Sequence, residues 1–203
     1  MARGLTTRHL ALEYYAKRES ASRGRMMPSH FSSREHRIVS VPTPLGTQLL
    51  PACGVAWGLQ LDGKDDVAVT TIGDAASRQG DFYEALSFAL ERRLPVLFDV
   101  EAVHAAGRDA LARLRAGEGP VFLWARLERL SSHTSSDDHT LYRSREDIAA
   151  MEERDPIRIL RDRMIAAGEL TPEAFARLEE EVKERVRAEY AAAEKAEDPR
   201  ADE

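Results

Sequence analysis

The sequence predicts an α/β fold, in which a parallel sheet is flanked by helices and followed by a helical C-terminal extension. Three short apolar runs, at 67–73, 94–98 and 120–127, are typical of buried strands. The stretches between them, 80–93 and 99–117, have the spacing of amphipathic helices. Short connections between alternating strands and helices favour parallel strands joined by right-handed crossovers.

Helical patterns also precede and follow this core. Residues 5–19 predict an amphipathic helix, and a polar loop leads from it to an apolar, small-residue stretch at 45–61. We expect 45–61 to be a buried helix with Pro51 in its first turn, where a missing N–H costs nothing. After a polar loop at 131–144, helices are predicted at the positions 145–153, 156–167 and from the Thr171 cap to about 196.

Composition limits the class of protein. The chain has 203 residues and a net charge of −6, and the acidic balance argues against a general nucleic-acid binder. No apolar run is long enough to cross a bilayer, and no signal-peptide pattern follows Met1. The single Cys53 excludes an intrachain disulfide and a cysteine zinc cluster. We expect a cytoplasmic protein.

The strongest local signal is the run 71–85, TIGDAASRQGDFYEA. Asp74 follows a predicted buried strand and would offer Mg²⁺ a carboxylate oxygen, a ligand that this ion prefers. The small residues Ala75 and Ala76 would let backbone N–H groups approach phosphates, and the N-terminus of the next helix favours anions. An ordinary strand-to-helix turn capped by Asp74 explains the residues equally well, so the local pattern leaves both interpretations open.

Three collinear motifs and a tail identify a family resemblance. The stretches are GDAASRQGDFYEALSFALERRLPVLF (73–98), GRMMPSHFSSREHRIVSVPTPLGTQLLPACGVAWGLQL (24–61), RLERLSSHTSSDDHTLYRS (126–144) and RDPIRILRDRMIAAGELTPEAF (154–175). They resemble the alpha subunit of the thiamine-diphosphate-dependent dehydrogenase/decarboxylase component of 2-oxo acid dehydrogenase complexes. The branched-chain, or 2-oxoisovalerate, type is the most similar.

The resemblance implies roles for the residues after the first strand and before the small-residue helix. Asp74 would bind Mg²⁺, and Ala75 and Ala76 would lie against the diphosphate of thiamine diphosphate, although the family more often has Gly at Ala75. In the segment 43–48, Thr43 and Leu45 would contact the cofactor, with Leu45 supporting its bent conformation. This segment would also hold K⁺ through Pro44, Thr47 and Gln48. A helix N-terminus capped by Thr43 is compatible with these roles.

His133 matches a loop histidine that the family places near the diphosphate and the reacting thiazolium. A histidine in a polar loop is more often simply solvated, and only the collinear motifs favour a catalytic role here. Imidazole suits proton transfer near neutral pH. We expect Asp137 and Asp138 to be loop-ordering or N-cap acids.

One part of the family pattern is absent. The family continues after the second strand with an Asn that completes the Mg²⁺ shell, whereas here Phe98 is followed at once by Asp99, in a stretch that resembles family sequence several dozen residues further on. A Tyr-Arg pair that holds the diphosphate from an upstream helix is also absent. Either the sequence joins the ordered pieces of a longer apo protein whose cofactor loops are disordered, which we favour, or it is a truncated, inactive relative.

The resemblance implies oxidative decarboxylation of a 2-oxo acid, of the branched-chain type, with transfer of the acyl group to a lipoyl carrier. The active assembly would contain two alpha and two beta subunits and would work with a lipoyl-bearing acyltransferase core. We expect a thiamine-diphosphate-binding domain over 1–144, lacking a segment after Phe98, and a helical extension over 145–203. The alternatives are a transketolase-like carboligase and a non-catalytic assembly protein without cofactor.

Overall fold

The computed structural model describes residues 3–100, 104–125 and 129–202. Its packing divides the chain into two compact units, one formed by Val39–Leu127 and one by Met1–Ile38 together with Glu128–Glu203. The predicted domain boundary near residue 144 remains a prediction. In chain order the elements are α1 (Thr7–Tyr14), α2 (Leu49–Leu61), β1 (Ala68–Thr71), α3 (Gly80–Arg92), β2 (Val96–Val100), α4 (His104–Arg115), β3 (Val121–Trp124), α5 (Arg145–Glu153), α6 (Pro156–Ala166) and α7 (Pro172–Glu194).

A parallel three-stranded sheet forms the centre of the Val39–Leu127 unit. Its strand order is β1-β2-β3, with Ala68 opposite Val96 and Leu97 opposite Val121. Each strand is joined to the next through a helix, as expected for parallel neighbours. The predicted fold class, a parallel sheet flanked by helices, is confirmed.

Helices cover both faces of this sheet. Val96 packs with α2 and α3 in one cluster, whereas its neighbour Leu97 packs with α4 in another, because successive strand residues point to opposite faces. The larger cluster, which anchors the turn after β1, contains Leu49, Cys53, Ala56, Ala68, Ile72, Ala76, Phe82, Ala85, Ala89, Leu94 and Val96. Its position fixes where β1 ends and α3 begins.

Helix α2 and strand β1 differ from the sequence prediction in three details. Helix α2 begins at Leu49 rather than 45, and its N-cap is Gln48, not Thr43. The helix is buried on one side only, because only that side faces α3 and β1, and Val55 on the other side is 41% exposed. Strand β1 is not buried on both faces either, since Val69 is 56% exposed.

The other unit is helical. Helix α1 packs on α7 through a small cluster that contains Ala11, Leu12 and Ala193, and Tyr15 and Tyr190 border it. Helix α7 begins as predicted, with the Thr171 side chain accepting from the Ala174 N–H and Pro172 in the first turn. In the part of the chain that the structure describes, no helix combines the length and apolar character that a bilayer span requires.

Candidate functional site

The turn after β1 carries the predicted metal ligand. The Ser77 hydroxyl donates to the Asp74 carbonyl (Oγ···O 2.7 Å), and the Ser77 N–H donates to the Gly73 carbonyl (N···O 3.0 Å). These bonds fold the chain back so that Asp74 lies on the surface at the carboxyl end of the strand. Among the described residues, the Asp74 carboxylate has no hydrogen-bond or ion-pair partner. It is therefore available to an external ligand.

The start of α3 follows this turn and leaves backbone donors uncapped. Gln79 is the N-cap residue, but its side chain makes no capping hydrogen bond. The N–H groups in the first turn of a helix carry partial positive charge and attract anions. Within the described ranges, the backbone N–H groups of Ala75 and Ala76 also make no hydrogen bond. The turn thus presents donors of the kind that bind a phosphate group.

The segment before α2 contacts this turn directly. The Gln48 side-chain amide donates to the Thr71 carbonyl at the end of β1 (Nε2···O 2.8 Å). Gly46 has a φ of +86°, and a Cβ at this position would lie 3.2 Å from the Cβ of Gln79. Two sequence motifs, 43–48 and 71–80, therefore meet at one edge of the sheet.

Three other predicted residues of this segment, Thr43, Pro44 and Leu45, are exposed. The Thr47 hydroxyl donates to the carbonyl of Pro44 (Oγ1···O 2.7 Å), which closes the segment into a turn. Leu45 is 68% exposed, and Thr43 is exposed as well. The structure thus brings Gln48 to the end of β1, whereas Thr43 and Leu45 have no buried contact with it.

His133 lies in the other compact unit, in a loop that a carboxylate holds together. Asp137 Oδ2 accepts from the His133 N–H at 2.7 Å and from the Tyr142 hydroxyl at 2.7 Å. Arg129 donates to the Tyr142 hydroxyl (Nη2···Oη 2.6 Å) and lies 3.8 Å from Asp137 Oδ2. The backbone N–H of His133 is the main cause that lowers the pKa of Asp137, and the Tyr142 hydroxyl adds to it. His133 is therefore fixed through its backbone, and its ring is left for other contacts.

A second acid orders the next turn of this loop. Asp138 Oδ1 accepts from the Thr140 N–H at 3.0 Å and from its hydroxyl at 2.6 Å, and these bonds lower the pKa of Asp138. The prediction that Asp137 and Asp138 are loop-ordering or capping acids is confirmed. Sequence reasoning missed Arg129 and Tyr142, and the available signal is that Arg129 precedes the polar loop at 131–144 and Tyr142 lies near its end.

The donor set is sparse for a metal ion by itself. The described residues contain no group of three or more His, Cys, Asp or Glu side chains that could hold a metal. Mg²⁺, however, is commonly bound by one or two carboxylates together with phosphate oxygens and water. Asp74 beside uncapped backbone donors fits a magnesium–diphosphate pair better than it fits an isolated metal. For K⁺, the Thr47 hydroxyl donates its hydrogen to the Pro44 carbonyl and keeps its oxygen lone pairs for a cation.

These features define a class of protein: an α/β protein with unpaired backbone donors and an available carboxylate at the carboxyl end of a parallel strand, where such folds bind ligands. A family model described as "Dehydrogenase E1 component" matches residues 1–101 and 98–202. The chain belongs to this family, which confirms the resemblance that the motifs predicted.

Individual relatives support the same assignment. The chain is 31% identical over 197 residues to 2-oxoisovalerate dehydrogenase subunit alpha of Bacillus subtilis. This alignment covers 77% of the chain and 60% of the relative. It is 29% identical over 233 residues to the mitochondrial 2-oxoisovalerate dehydrogenase subunit alpha of Caenorhabditis elegans, and this alignment covers 95% of the chain and 54% of the relative. Pyruvate dehydrogenase E1 component subunit alpha, somatic form, of Sus scrofa is 27% identical over 226 residues, covering 91% and 57%. The chain thus spans little more than half the length of these relatives.

Proposed function

We propose that the chain acts as the alpha subunit of a thiamine-diphosphate-dependent 2-oxo acid dehydrogenase. The observation that carries this proposal is the Gln48–Thr71 hydrogen bond, because it joins the two cofactor motifs at the strand end that bears Asp74. Family membership supports the enzyme class. The 2-oxoisovalerate relatives favour branched-chain substrates, with the acyl group passed to a lipoyl carrier.

In this proposal, the turn after β1 binds the cofactor through one side chain and through backbone N–H groups. Asp74 holds Mg²⁺, and the N–H groups of Ala75 and Ala76 face the diphosphate, which the uncapped start of α3 also attracts. When bound, thiamine diphosphate would supply a nucleophilic carbon for the keto group and a thiazolium ring as the electron sink for decarboxylation. The chain itself contributes binding and orientation at this end of the sheet.

The segment before α2 has the more peripheral tasks. Thr43 and Leu45 line the cofactor, and Pro44, Thr47 and Gln48 supply oxygens to K⁺. The exposure of Leu45 is compatible with a contact that the bound cofactor would bury. Gln48 donates its amide N–H to Thr71, which leaves its amide oxygen for a cation.

His133 is the proposed proton-transfer residue. Its backbone N–H is held by Asp137, whose carboxylate also accepts from Tyr142, so the loop is ordered without using the imidazole. The imidazole is left to transfer a proton to or from a bound substrate.

The proposed assembly contains two alpha and two beta subunits, works with a lipoyl-bearing acyltransferase core and is cytoplasmic. Helix α2 supports a role in subunit contacts, because it is apolar on all sides but buried on only one. Its open side carries two glycines at which a Cβ would meet nothing within 4 Å, Gly54 and Gly58, beside the exposed Leu61.

We also propose that a family segment following Phe98 has no counterpart in this sequence. Two separate matches to the family model meet at residues 98–101. The Caenorhabditis elegans alignment runs over 233 residues, although the chain has only 203, so at least 30 residues of that relative face a gap.

The two explanations of this junction predict different molecules. If cofactor loops of a longer apo protein are disordered, the purified polypeptide will have the mass of a full-length subunit. If this protein is instead a truncated member of the family, the intact mass of the purified polypeptide will be 22.7 kDa. Strand β2 runs through Phe98 and Asp99 and pairs there with Phe122 and Leu123, so a direct junction is compatible with the sheet.

Calorimetric titration with thiamine diphosphate and Mg²⁺ tests the main proposal, on the full chain with its beta partner. We expect saturable binding that Asp74→Ala abolishes. Asp62→Ala is the matched control, because Asp62 is an exposed carboxylate on the turn before β1 and pairs with Lys64 (2.9 Å). Release of CO₂ from branched 2-oxo acids then identifies the reaction.

A specific observation also favours the alternative, a scaffold or assembly protein that does not bind the cofactor. Within the described ranges, Asp74 is the one carboxylate on the turn between β1 and α3, Asp81 adds a second negative charge in the first turn of α3, and no group of three metal ligands occurs. Absence of thiamine diphosphate binding by the assembled wild-type protein would establish this alternative and overturn the enzyme proposal.

A further inference from the structure

The N-terminus of α1 is closed by a histidine. The Thr6 hydroxyl accepts from the His9 N–H (3.4 Å), and His9 Nδ1 accepts from the Thr6 N–H (3.1 Å). This reciprocal pair is a capping box, in which the second side chain is ordinarily Glu or Gln. An imidazole in this place makes the cap titratable, whereas a glutamine would not.

A second imidazole lies against the first. The rings of His9 and His36 are arranged edge to face, with their centroids 5.4 Å apart. His36 Nδ1 is 2.8 Å from the Ser33 hydroxyl, and Ser33 and Ile38 exchange both backbone hydrogen bonds (2.9 and 2.8 Å). The cap of α1 is therefore in contact with an ordered turn of the same compact unit.

Charged groups of three neighbouring elements surround this cap. From the N-terminal segment, the Arg3 guanidinium donates to the His36 carbonyl (3.1 Å). From α7, Glu189 accepts from the Arg8 N–H (2.7 Å), which satisfies another first-turn donor of α1. On α1 itself, the Arg8 guanidinium pairs with Glu19 (2.9 Å).

Protonation of His9 changes the chemistry of the cap. A neutral Nδ1 can accept a hydrogen bond, whereas an imidazolium carries N–H groups on both nitrogens and accepts none. The Thr6 N–H then loses its partner. The Thr6 hydroxyl, 2.8 Å from the same nitrogen, would have to accept from the ring and from the His9 N–H together. A cation at a helix N-terminus is also opposed by the macrodipole.

We propose that Thr6, His9 and His36 form a pH-sensitive latch that closes the first turn of α1 when His9 is neutral and opens it when His9 is protonated. Opening of this turn weakens the packing of the unit, because α1 also holds two other contacts. Leu12 packs against α7, and the Glu13 carboxylate accepts from the Ser22 N–H (2.8 Å). The latch is independent of the proposed catalytic function.

Hydrogen–deuterium exchange of the full chain tests this latch at pH 5.5 and 7.5, after correction for the intrinsic exchange rates. In the wild type we expect the amides at 6–10 to lose protection severalfold at the lower pH. His9→Gln keeps a capping acceptor that does not titrate, so its protection should be equal at both pH values. His30→Gln, a histidine substitution in the same unit but outside the cap, should retain the wild-type response.

Equal protection of the wild type at both pH values would overturn the latch, as would a pH response that persists in His9→Gln. If His9→Gln fails to fold, NMR of the wild type decides the question. The Thr6 amide resonance should then shift together with the titration of the His9 ring, and a Thr6 amide that ignores this titration would refute the proposal.

Discussion

The Gln48 side chain and the Thr71 carbonyl form a hydrogen bond of 2.8 Å between residues that are 23 positions apart. Gln48 is the N-cap of α2, and Thr71 is the last residue of β1. The bond therefore fixes the start of a helix to the end of a strand, three residues before Asp74. It makes the geometry of the candidate cofactor turn depend on the segment before α2.

We predict that Gln48→Ala weakens binding of thiamine diphosphate and Mg²⁺ to the assembled protein. A net hydrogen bond contributes about 0.5–1.5 kcal/mol, which corresponds to about two- to twelvefold in affinity if the whole effect reaches the site. The matched control is Gln60→Ala, because the Gln60 amide donates to the carbonyls of Arg92 and Arg93 at the C-terminal end of α3. Equal calorimetric affinities for the two variants would refute the positioning role.

Two glycine-to-alanine substitutions should change stability in opposite directions. Gly46 has a φ of +86°, and a new Cβ there would lie 3.2 Å from the Cβ of Gln79. Alanine at this position should therefore lower the free energy of unfolding by about 1–2 kcal/mol. At Gly54, within α2, a Cβ meets nothing within 4 Å, so alanine should stabilise the isolated chain by about 0.5–1 kcal/mol. Denaturant midpoints measure both changes, and a stabilising Gly46→Ala would contradict the turn geometry.

We expect Asp137→Asn to disorder the loop around His133, because the carboxylate accepts from the His133 N–H and the Tyr142 hydroxyl. The pKa of Asp137 is lowered in the folded loop. The ionised carboxylate therefore stabilises the loop at pH values above the ordinary carboxyl pKa, and this stabilisation is lost as the pH falls through the lowered pKa. Amide exchange of residues 129–143 reports this order. Asp162→Asn, which removes a surface partner of Arg161 in α6, serves as the control. A loop equally protected in Asp137→Asn would count against the prediction.

Cys53 should be unreactive in the native protein. Its thiol is fully buried between α2 and α3, donates weakly to the Ala85 carbonyl (3.4 Å), and has a pKa raised by burial to about 11. The folded state therefore holds the thiol proton more tightly than the unfolded state does. The stability that this difference contributes declines as pH rises from about 9 towards 11. Alkylation by iodoacetamide at pH 8 should occur only after unfolding. Rapid labelling of the native chain would show that the α2–α3 contact opens.

Some of the site could be predicted from sequence because the signals are local. The acids Asp137 and Asp138 sit within a few residues of the groups they bind, so a polar loop rich in acids already indicates their role. The roles expected for Asp74, Ala75 and Ala76 come from the family resemblance and remain predictions. Arg129 could not be predicted as a partner of Tyr142, because they meet only when the loop closes over 13 residues.

The sequence by itself determined the alternation of strands and helices, the Thr171 cap of α7 and the family, since periodicity, capping and motifs are encoded over short stretches. Only the tertiary structure decided that α2 buries one side and leaves Val55 and Leu61 exposed, and that Gln48 reaches Thr71. An apolar helix has no periodicity that marks its inner side, and a contact across 23 residues depends on how strand and helix pack. Packing therefore decides which residues meet at the end of β1, and local patterns do not show this.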